Sequence, residues 1–275
     1  MNAVRNYGRA RSRCPRRALL ADGASGAAAD RGYHWLTFDG PGQEAMLFEH
    51  GIPFRPDWEA VLTPVLDGVL ARSDVDPDRV AVIGVGQGGY WVTRALAFEH
   101  RFAAAVVDPG SSTSRQPGPI GFPSEMRQQL DDRRQSAFDR EMHLAELFAP
   151  STTATVRFHG EPYGHNAGST FRLFSAIAAY RLGDEVQKID TPILLTESEG
   201  EQLWPGQSRR LYERLPGPKM IVTFTTDERA GGHCEPLAQA VREAHIFDWL
   251  EEHLGQSHQR EALQADAARS ILRYQ

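Results

Sequence analysis

Short apolar runs alternate with stretches of helical periodicity along most of the chain. Residues 33–38 (YHWLTF), 79–84 (RVAVIG), 103–107 (AAAVV), 192–196 (PILLT) and 219–225 (KMIVTFT) are brief, nearly continuous apolar segments. Runs of that length, apolar on both alternating sets of positions, predict strands buried on both faces of a sheet. Between them, residues 57–72 (DWEAVLTPVLDGVLAR), 88–100, 207–215 and 237–254 carry apolar residues at helical spacing. Strand and helix patterns that alternate in this way predict right-handed βαβ units and a mostly parallel sheet flanked by helices. No internal repeat interrupts the pattern.

Three stretches depart from it. Residues 109–188 hold no strand pattern; they open with a Ser/Pro/Gly-rich segment (GSSTSRQPGPIGFPS) and continue with helical patterns at 125–148 and 169–182. That is the size and character of a helical cap inserted between two strands of a core formed by residues 18–108 and 189–254. Residues 255–275 are polar and predict a loose C-terminal tail. Residues 1–17 contain six arginines and no acid, which predicts a basic, disordered tail outside the core. The apolar stretch at 18–21 is stopped by Asp22, too soon for the apolar core of a signal peptide.

Composition narrows the function classes. Of 275 residues, 41% are hydrophobic and 24% charged, as in ordinary globular domains. The formal net charge of -6 argues against a nucleic-acid groove as the main business of the protein. No apolar run approaches the roughly 18 residues that span a bilayer, so no membrane partner is expected. Two cysteines, Cys14 and Cys234, cannot build a disulfide framework, and a reducing cytoplasm is the expected compartment. The histidines show no metal-ligand spacing, so no metal is expected.

The chemistry concentrates in three loops. RVAVIG runs directly into Gly84-Val85-Gly86-Gln87-Gly88-Gly89 and then a helix. A strand, a tight glycine-rich turn and a helix is the layout of a nucleophile elbow, but its middle position, where serine is usual, is Gly86. A dinucleotide-binding glycine loop is the alternative; it belongs on the first strand, and the only acid at the end of the next strand is Asp108. An acidic loop, Glu197-Ser198-Glu199-Gly200-Glu201, follows the strand PILLT. Glu201 lies four residues before the proline that opens the next helix, the usual place for a triad acid; Glu197 and Glu199 are the alternatives. A third loop, Gly231-Gly232-His233-Cys234-Glu235, follows KMIVTFT and precedes the last helix. Elbow, acid and histidine come in the chain order of an α/β-hydrolase triad. Cys234 lies off the elbow and reads as a small packing residue.

The stretches YHWLTFDGPGQ, GVGQGGYWVTRALAFEHRFAAAVVDPG, ESEGEQLWPGQS and GGHCEPL together resemble one branch of the α/β-hydrolase superfamily. That branch holds the FrsA-like esterases, the 2,6-dihydroxypseudooxynicotine hydrolases and the fungal hydrolases that shorten polyketides. The resemblance covers residues 18–254 and implies the α/β-hydrolase fold with a truncated N-terminal part. It implies an ester or 1,3-diketone-type, polyketide-like small-molecule substrate, and no cofactor. It also implies that Gly86 occupies the nucleophile slot, Glu201 the acid slot and His233 the base slot, with the Gln87 amide as an oxyanion donor. Residues 18–21 and the segment around Gly23 would then supply the strand and loop of a second donor. Tyr90, early in the helix after the elbow, is a candidate substrate contact, and an open sheet edge left by missing early strands would suit a homodimer.

In an intact site of this kind, serine attacks a carbonyl, the histidine relays its proton, and backbone amides hold the oxyanion. Glycine has no oxygen to attack with. Three expectations follow: a hydrolase with lost or much weakened activity, a pseudoenzyme that binds a ligand or partner, or a lyase or cyclase in which His233 and Glu201 do acid–base work alone.

Overall fold

A computed structural model of the chain describes residues 2–8, 24–111, 123–148, 160–164, 169–202 and 204–255. Six strands form one sheet among these residues: β1 (Asn2–Gly8), β2 (His34–Thr37), β3 (Val80–Gly86), β4 (Ala104–Asp108), β5 (Ile193–Ser198) and β6 (Lys219–Phe224). Their order is β2-β1-β3-β4-β5-β6, and every neighbouring pair is parallel. Helices α1 (Ala24–Asp30), α2 (Glu44–Phe48), α3 (Glu59–Leu70) and α4 (Gln87–Leu96) occupy the first half. Helices α5 (Ser124–Asp131), α6 (Gln135–Phe148) and α7 (Thr170–Ala178) lie between β4 and β5, and α8 (Gln207–Arg214) and α9 (Gln239–Leu254) complete the core.

The two-residue period of the central strands sorts the core into two layers. Val80 and Val82 of β3, Ala105 and Val107 of β4, and Ile193 and Leu195 of β5 face α3, α4 and α8, among Leu62, Leu66, Trp91 and Leu211. Ala81, Ile83 and Val85, Ala104 and Val106, and Leu194 face the opposite way, toward α1 and α9, among Ala28, Ile246, Phe247 and Leu250. Both faces are covered, which is why these strands read as unbroken apolar runs. The helices between β4 and β5 carry a small apolar cluster of their own, with Met126, Phe138 and Met142 packed against Leu130, Phe171 and Phe174.

The sheet corrects the expectation for the N-terminus. Residues 2–8, read as part of a basic tail, form β1, which pairs with both β2 and β3 and sets Gly8 beside Gly86. The segment is poor in strand formers, but a central strand gains ladder hydrogen bonds on two edges, and these outweigh weak local propensity. The strand expected at 18–21 lies outside the described residues, and 24–26, expected as loop, belong to α1. Among the described residues the sheet shows no early gap, and its edges there are β2, with His34, Leu36 and Thr37 exposed, and β6. The single helical pattern at 125–148 divides into α5 and α6, with Arg133 between them at φ 58°. The C-terminal tail lies outside the described residues beyond Gly255.

Close packing of strand, turn and helix fixes where the chain reverses. A Cβ on Gly84 would lie 2.2 Å from the Gly88 carbonyl oxygen, and one on Gly89 would lie 2.1 Å from the Pro109 carbonyl oxygen. Neither backbone oxygen can yield without moving α4 or the end of β4. Gly68, on the exposed side of α3, has open space around its Cβ position. Gly89→Ala is therefore expected to destabilise the fold by about 3 kcal/mol or more. Gly68→Ala should stabilise it by about 0.5–1 kcal/mol. Urea unfolding of the two variants checks the contrast.

Candidate functional site

The reversal after β3 is sharp. All seven residues of β3 are buried, and α4 begins at the very next residue, Gln87. Gly86, at the bend, has φ 61° and ψ −126°, a conformation that residues with a Cβ adopt only under strain. That is the strained strand-to-helix turn on which an α/β-hydrolase presents its nucleophile, held by a residue that has no side chain. Gln87 is buried and opens α4, so its backbone N–H belongs to the first helical turn, where amides and helix dipole favour negative charge.

The acidic loop leaves β5 at Ser198, and the Glu201 N–H donates to the Ser198 carbonyl at 3.2 Å. The three candidate acids have separate fates. Glu197 pairs with Arg209 at 2.5 Å on the exterior. Glu199 accepts the Thr226 N–H at 2.6 Å and braces this loop to the end of β6. Glu201 is the one directed inward: Oε1 accepts the Trp204 N–H at 3.1 Å, and Oε2 lies 2.8 Å from Nδ1 of His233. The Glu201 side chain is 6% exposed and that of His233 is 26% exposed, so the acid is sheltered while the imidazole reaches the surface of the site. The Trp204 ring flanks the imidazole, with centroids 5.1 Å apart. A carboxylate on Nδ1 favours the tautomer with its proton there and leaves Nε2 as the lone pair for proton transfer.

The histidine loop is bent tightly. Gly232 sits at φ 91°, and two residues with side chains follow His233 in the left-handed region, Cys234 at φ 58° and Glu235 at φ 44°. Each such residue costs about 1–3 kcal/mol and persists only where its surroundings force it. The forcing contacts are present. Gly232 N–H donates to the Glu199 carbonyl at 2.8 Å, tying the histidine loop to the acidic loop. The Cys234 thiol donates to the Asp108 carbonyl at 3.5 Å, and its sulfur faces the backbone amide of Gly86. Cys234 thereby seats the loop against the elbow and brings bend, histidine and acid into one locus.

Cys234 is not an activated nucleophile. Burial, with Asp108 and Glu235 nearby, pushes its thiol well above the usual range, so the thiolate is disfavoured. Its role is packing, as its sequence position implies. Tyr90, expected to touch substrate, is 1% exposed and packs against Tyr180, with its hydroxyl 3.4 Å from the Pro56 carbonyl. Burial raises its phenol pKa, and the residue serves the core between α3 and α4. Gly23 lies outside the described residues. The dinucleotide reading of Gly84–Gly89 loses its basis, because the run forms the elbow of β3, packed against β4, and not a loop after a first strand.

Sequence reasoning missed a second polar group beneath the histidine loop. Asp108 and Glu235 are both wholly buried. Asp108 accepts from the Thr196 hydroxyl at 2.8 Å and lies 3.4 Å from Arg242 Nη1, which also donates to the Cys234 carbonyl at 2.9 Å. Glu235 Oε1 accepts a hydrogen bond from the Ser198 hydroxyl. Burial beside Asp108 pushes the Glu235 carboxyl up to about 9. The one local signal was the charge that ends the otherwise apolar strand AAVVD; nothing near Glu235 in sequence marks it as buried.

Among the described residues no group of side chains could hold a metal ion, and no helix is long and apolar enough to cross a membrane. Because Gly86 sits where a Cβ brings strain, Gly86→Ala is expected to destabilise the protein by about 1–3 kcal/mol. A comparable rise in the urea midpoint instead would show that the bend is not enforced.

The profile of the family described as "Alpha/beta hydrolase family" matches residues 15–261. Hydrolase ORFZ of Pyricularia oryzae is 29% identical over 246 residues, covering 83% of this chain and 57% of the relative. Alpha/beta hydrolase psoB of Aspergillus fumigatus is 42% identical over 108 residues, covering 34% of this chain and 24% of the relative. This chain thus spans little more than half the length of the first of these relatives, and less of the second. The solved structure of the 2,6-dihydroxy-pseudo-oxynicotine hydrolase aligns with a TM-score of 0.63 at 19% identity, covering 92% of this chain and 60% of that one. Alpha/beta hydrolase GrgF from Penicillium sp. aligns with a TM-score of 0.58 at 18% identity, covering 92% and 90%. With an elbow, an acidic loop and a histidine loop in family order on a parallel sheet, and a family profile matched over nearly its whole length, the chain belongs to the α/β hydrolase family.

Proposed function

We propose that this chain is a hydrolase-type protein for ester or 1,3-diketone-type small molecules whose serine chemistry is lost or much weakened at position 86. The observation that carries this reading is the combination at the elbow. Gly86 keeps the strained turn at φ 61° while the His233–Glu201 pair stays assembled at 2.8 Å. The base, its orienting acid and the helix N-terminal amide of Gln87 are all retained, and the attacking oxygen is the missing part.

In a serine site the oxygen attacks the carbonyl as the histidine takes its proton, and the same histidine later protonates the leaving alkoxide or enolate. Without that oxygen no acyl-enzyme forms. Loss of the serine in a comparable triad costs on the order of 10⁶ in kcat, and roughly 10³–10⁴ over water survives through oxyanion stabilisation and binding. At this site the surviving route is a water deprotonated by His233 Nε2, with Glu201 stabilising the imidazolium. The similarity to proteins named as hydrolases supports the hydrolase-type reading, and the substrate class rests on the motif resemblance.

A second reading keeps the same pair for acid–base catalysis without hydrolysis, as in a lyase or cyclase. It is favoured by the retention of a sheltered Glu201 on His233, which a pure binding protein has no need to preserve.

Restoring the nucleophile separates these readings. Gly86→Ser is expected to release a stoichiometric burst of p-nitrophenol from p-nitrophenyl esters and to raise the steady rate by on the order of 10²-fold or more. His233→Ala in that background should abolish the gain. A folded Gly86→Ser protein with neither burst nor faster turnover sinks the missing-nucleophile reading.

A further inference from the structure

We infer that Glu235 is a positioning residue for His233, acting as a neutral carboxylic acid that clamps the histidine loop to the ends of β4 and β5. The inference deepens the reading of His233 and Glu201 as a base and its orienting acid, and rests on it.

Glu235 stands two residues after His233, and its side chain points down into the core rather than out to the site. Three elements meet around it. From the end of β5, Ser198 donates to Oε1. From the end of β4, the Asp108 side chain lies within hydrogen-bonding reach of the Glu235 carboxyl, and Glu235 Oε2 has no donor. From α9, Arg242 approaches Asp108 at 3.4 Å, with Glu243 3.9 Å behind it, and Cys234 of the loop itself completes the surroundings.

The hydrogen-bond inventory decides the charge state. Carboxylates accept and do not donate, so two ionised groups at Asp108 and Glu235 would leave Glu235 Oε2 bare and repel each other in a water-free interior. A proton on Glu235 Oε2 makes it a donor to Asp108 and satisfies both. It also removes one negative charge from a group in which the single guanidinium of Arg242 already faces Asp108 and Glu243. The direction of the Glu235 pKa, up to about 9 through burial and the neighbouring Asp108, agrees with this.

The consequence for the site follows from connectivity. Ser198 precedes Glu201 by three residues, and its carbonyl receives the Glu201 N–H at 3.2 Å. Glu235 thus grips at Ser198 the same loop end that carries the acid, while its own backbone carries the base. One buried side chain sets the spacing between the two loops. It also explains how Cys234 and Glu235 are kept at φ 58° and 44°, since release of the carboxyl would let this turn relax and the imidazole swing.

Two measurements test the inference, and neither needs catalytic turnover. In the first, stability is followed against pH for the wild type and for Glu235→Gln, whose amide donates to Asp108 and accepts from Ser198 as the neutral acid does. A raised folded pKa means the native state holds a proton that the unfolded chain releases between about pH 4.5 and 9. Wild-type stability must then fall relative to Glu235→Gln as pH rises through that window, and parallel curves overturn the neutral-acid assignment. In the second, ¹⁵N shifts of the His233 ring report its tautomer at pH 7.5. The expected result is a dominant Nδ1–H form in the wild type and Glu235→Gln, falling several-fold in Glu235→Ala with the fold intact by circular dichroism. Should Glu235→Ala fail to fold, Ser198→Ala, which removes one anchor of the clamp, is expected to show the same shift to a smaller degree. An unchanged tautomer in every folded variant that breaks the clamp overturns the positioning role. Failure of the restored-serine assay with these signatures present would instead count against the hydrolytic reading alone.

Discussion

The bend between β3 and α4 is the constraint on which the rest of the molecule depends. A seven-residue strand buried on both faces passes into a helix with no intervening loop, and this is possible only where backbone can lie against backbone. Gly84 lets the Gly88 carbonyl come close, and Gly89 does the same for the carbonyl of Pro109. The bend therefore fixes α4 against the end of β4 and puts position 86 at the carboxyl edge of the sheet. In a parallel sheet, that is the edge at which the loops after β4, β5 and β6 also emerge.

Two carboxylate systems of opposite character then share that edge. Glu201 is sheltered but ends at an imidazole open to the site, an arrangement that supports a charge appearing and disappearing on His233. Asp108 and Glu235 lie deeper, with Arg242 and the hydroxyls of Ser198 and Thr196, and form a buried group. The upper pair is suited to moving protons and the lower group to holding backbone. The histidine loop belongs to both, because His233 faces one and Glu235 the other.

Gly86 changes the balance between stability and chemistry in this arrangement. An elbow with a side chain stores strain at this turn, and glycine removes it while leaving the bend intact. Glycine at this position thus gives backbone comfort in place of a side chain, a trade familiar wherever function demands an uncomfortable conformation. The acidic and histidine loops are tied to one another through Gly232 and Glu199, and the histidine loop is tied to the end of β4 through Cys234 and Asp108. Their assembly rests on those ties, together with the Cys234 sulfur facing the Gly86 backbone amide.

The sequence by itself determined the alternation of β3, β4, β5 and β6 with helices, because strands buried on both faces must be continuously apolar and each such run is a local signal. It also determined the elbow, since a glycine-rich turn directly after a strand has few other uses, and it gave the acidic loop and the histidine loop in that chain order. Only the tertiary structure decided that Asn2–Gly8 is a central strand, because the stabilising ladder bonds come from β2 and β3 and leave no trace in local pattern. The choice of Glu201 over Glu197 and Glu199 was likewise tertiary, for which of three neighbouring acids turns inward depends on Arg209, Thr226 and His233, all distant in sequence. The burial of Tyr90 and the Asp108–Glu235 group were hidden for the same reason. A polar side chain is stable inside a protein when partners from other elements satisfy it, and those partners become neighbours only once the chain has folded.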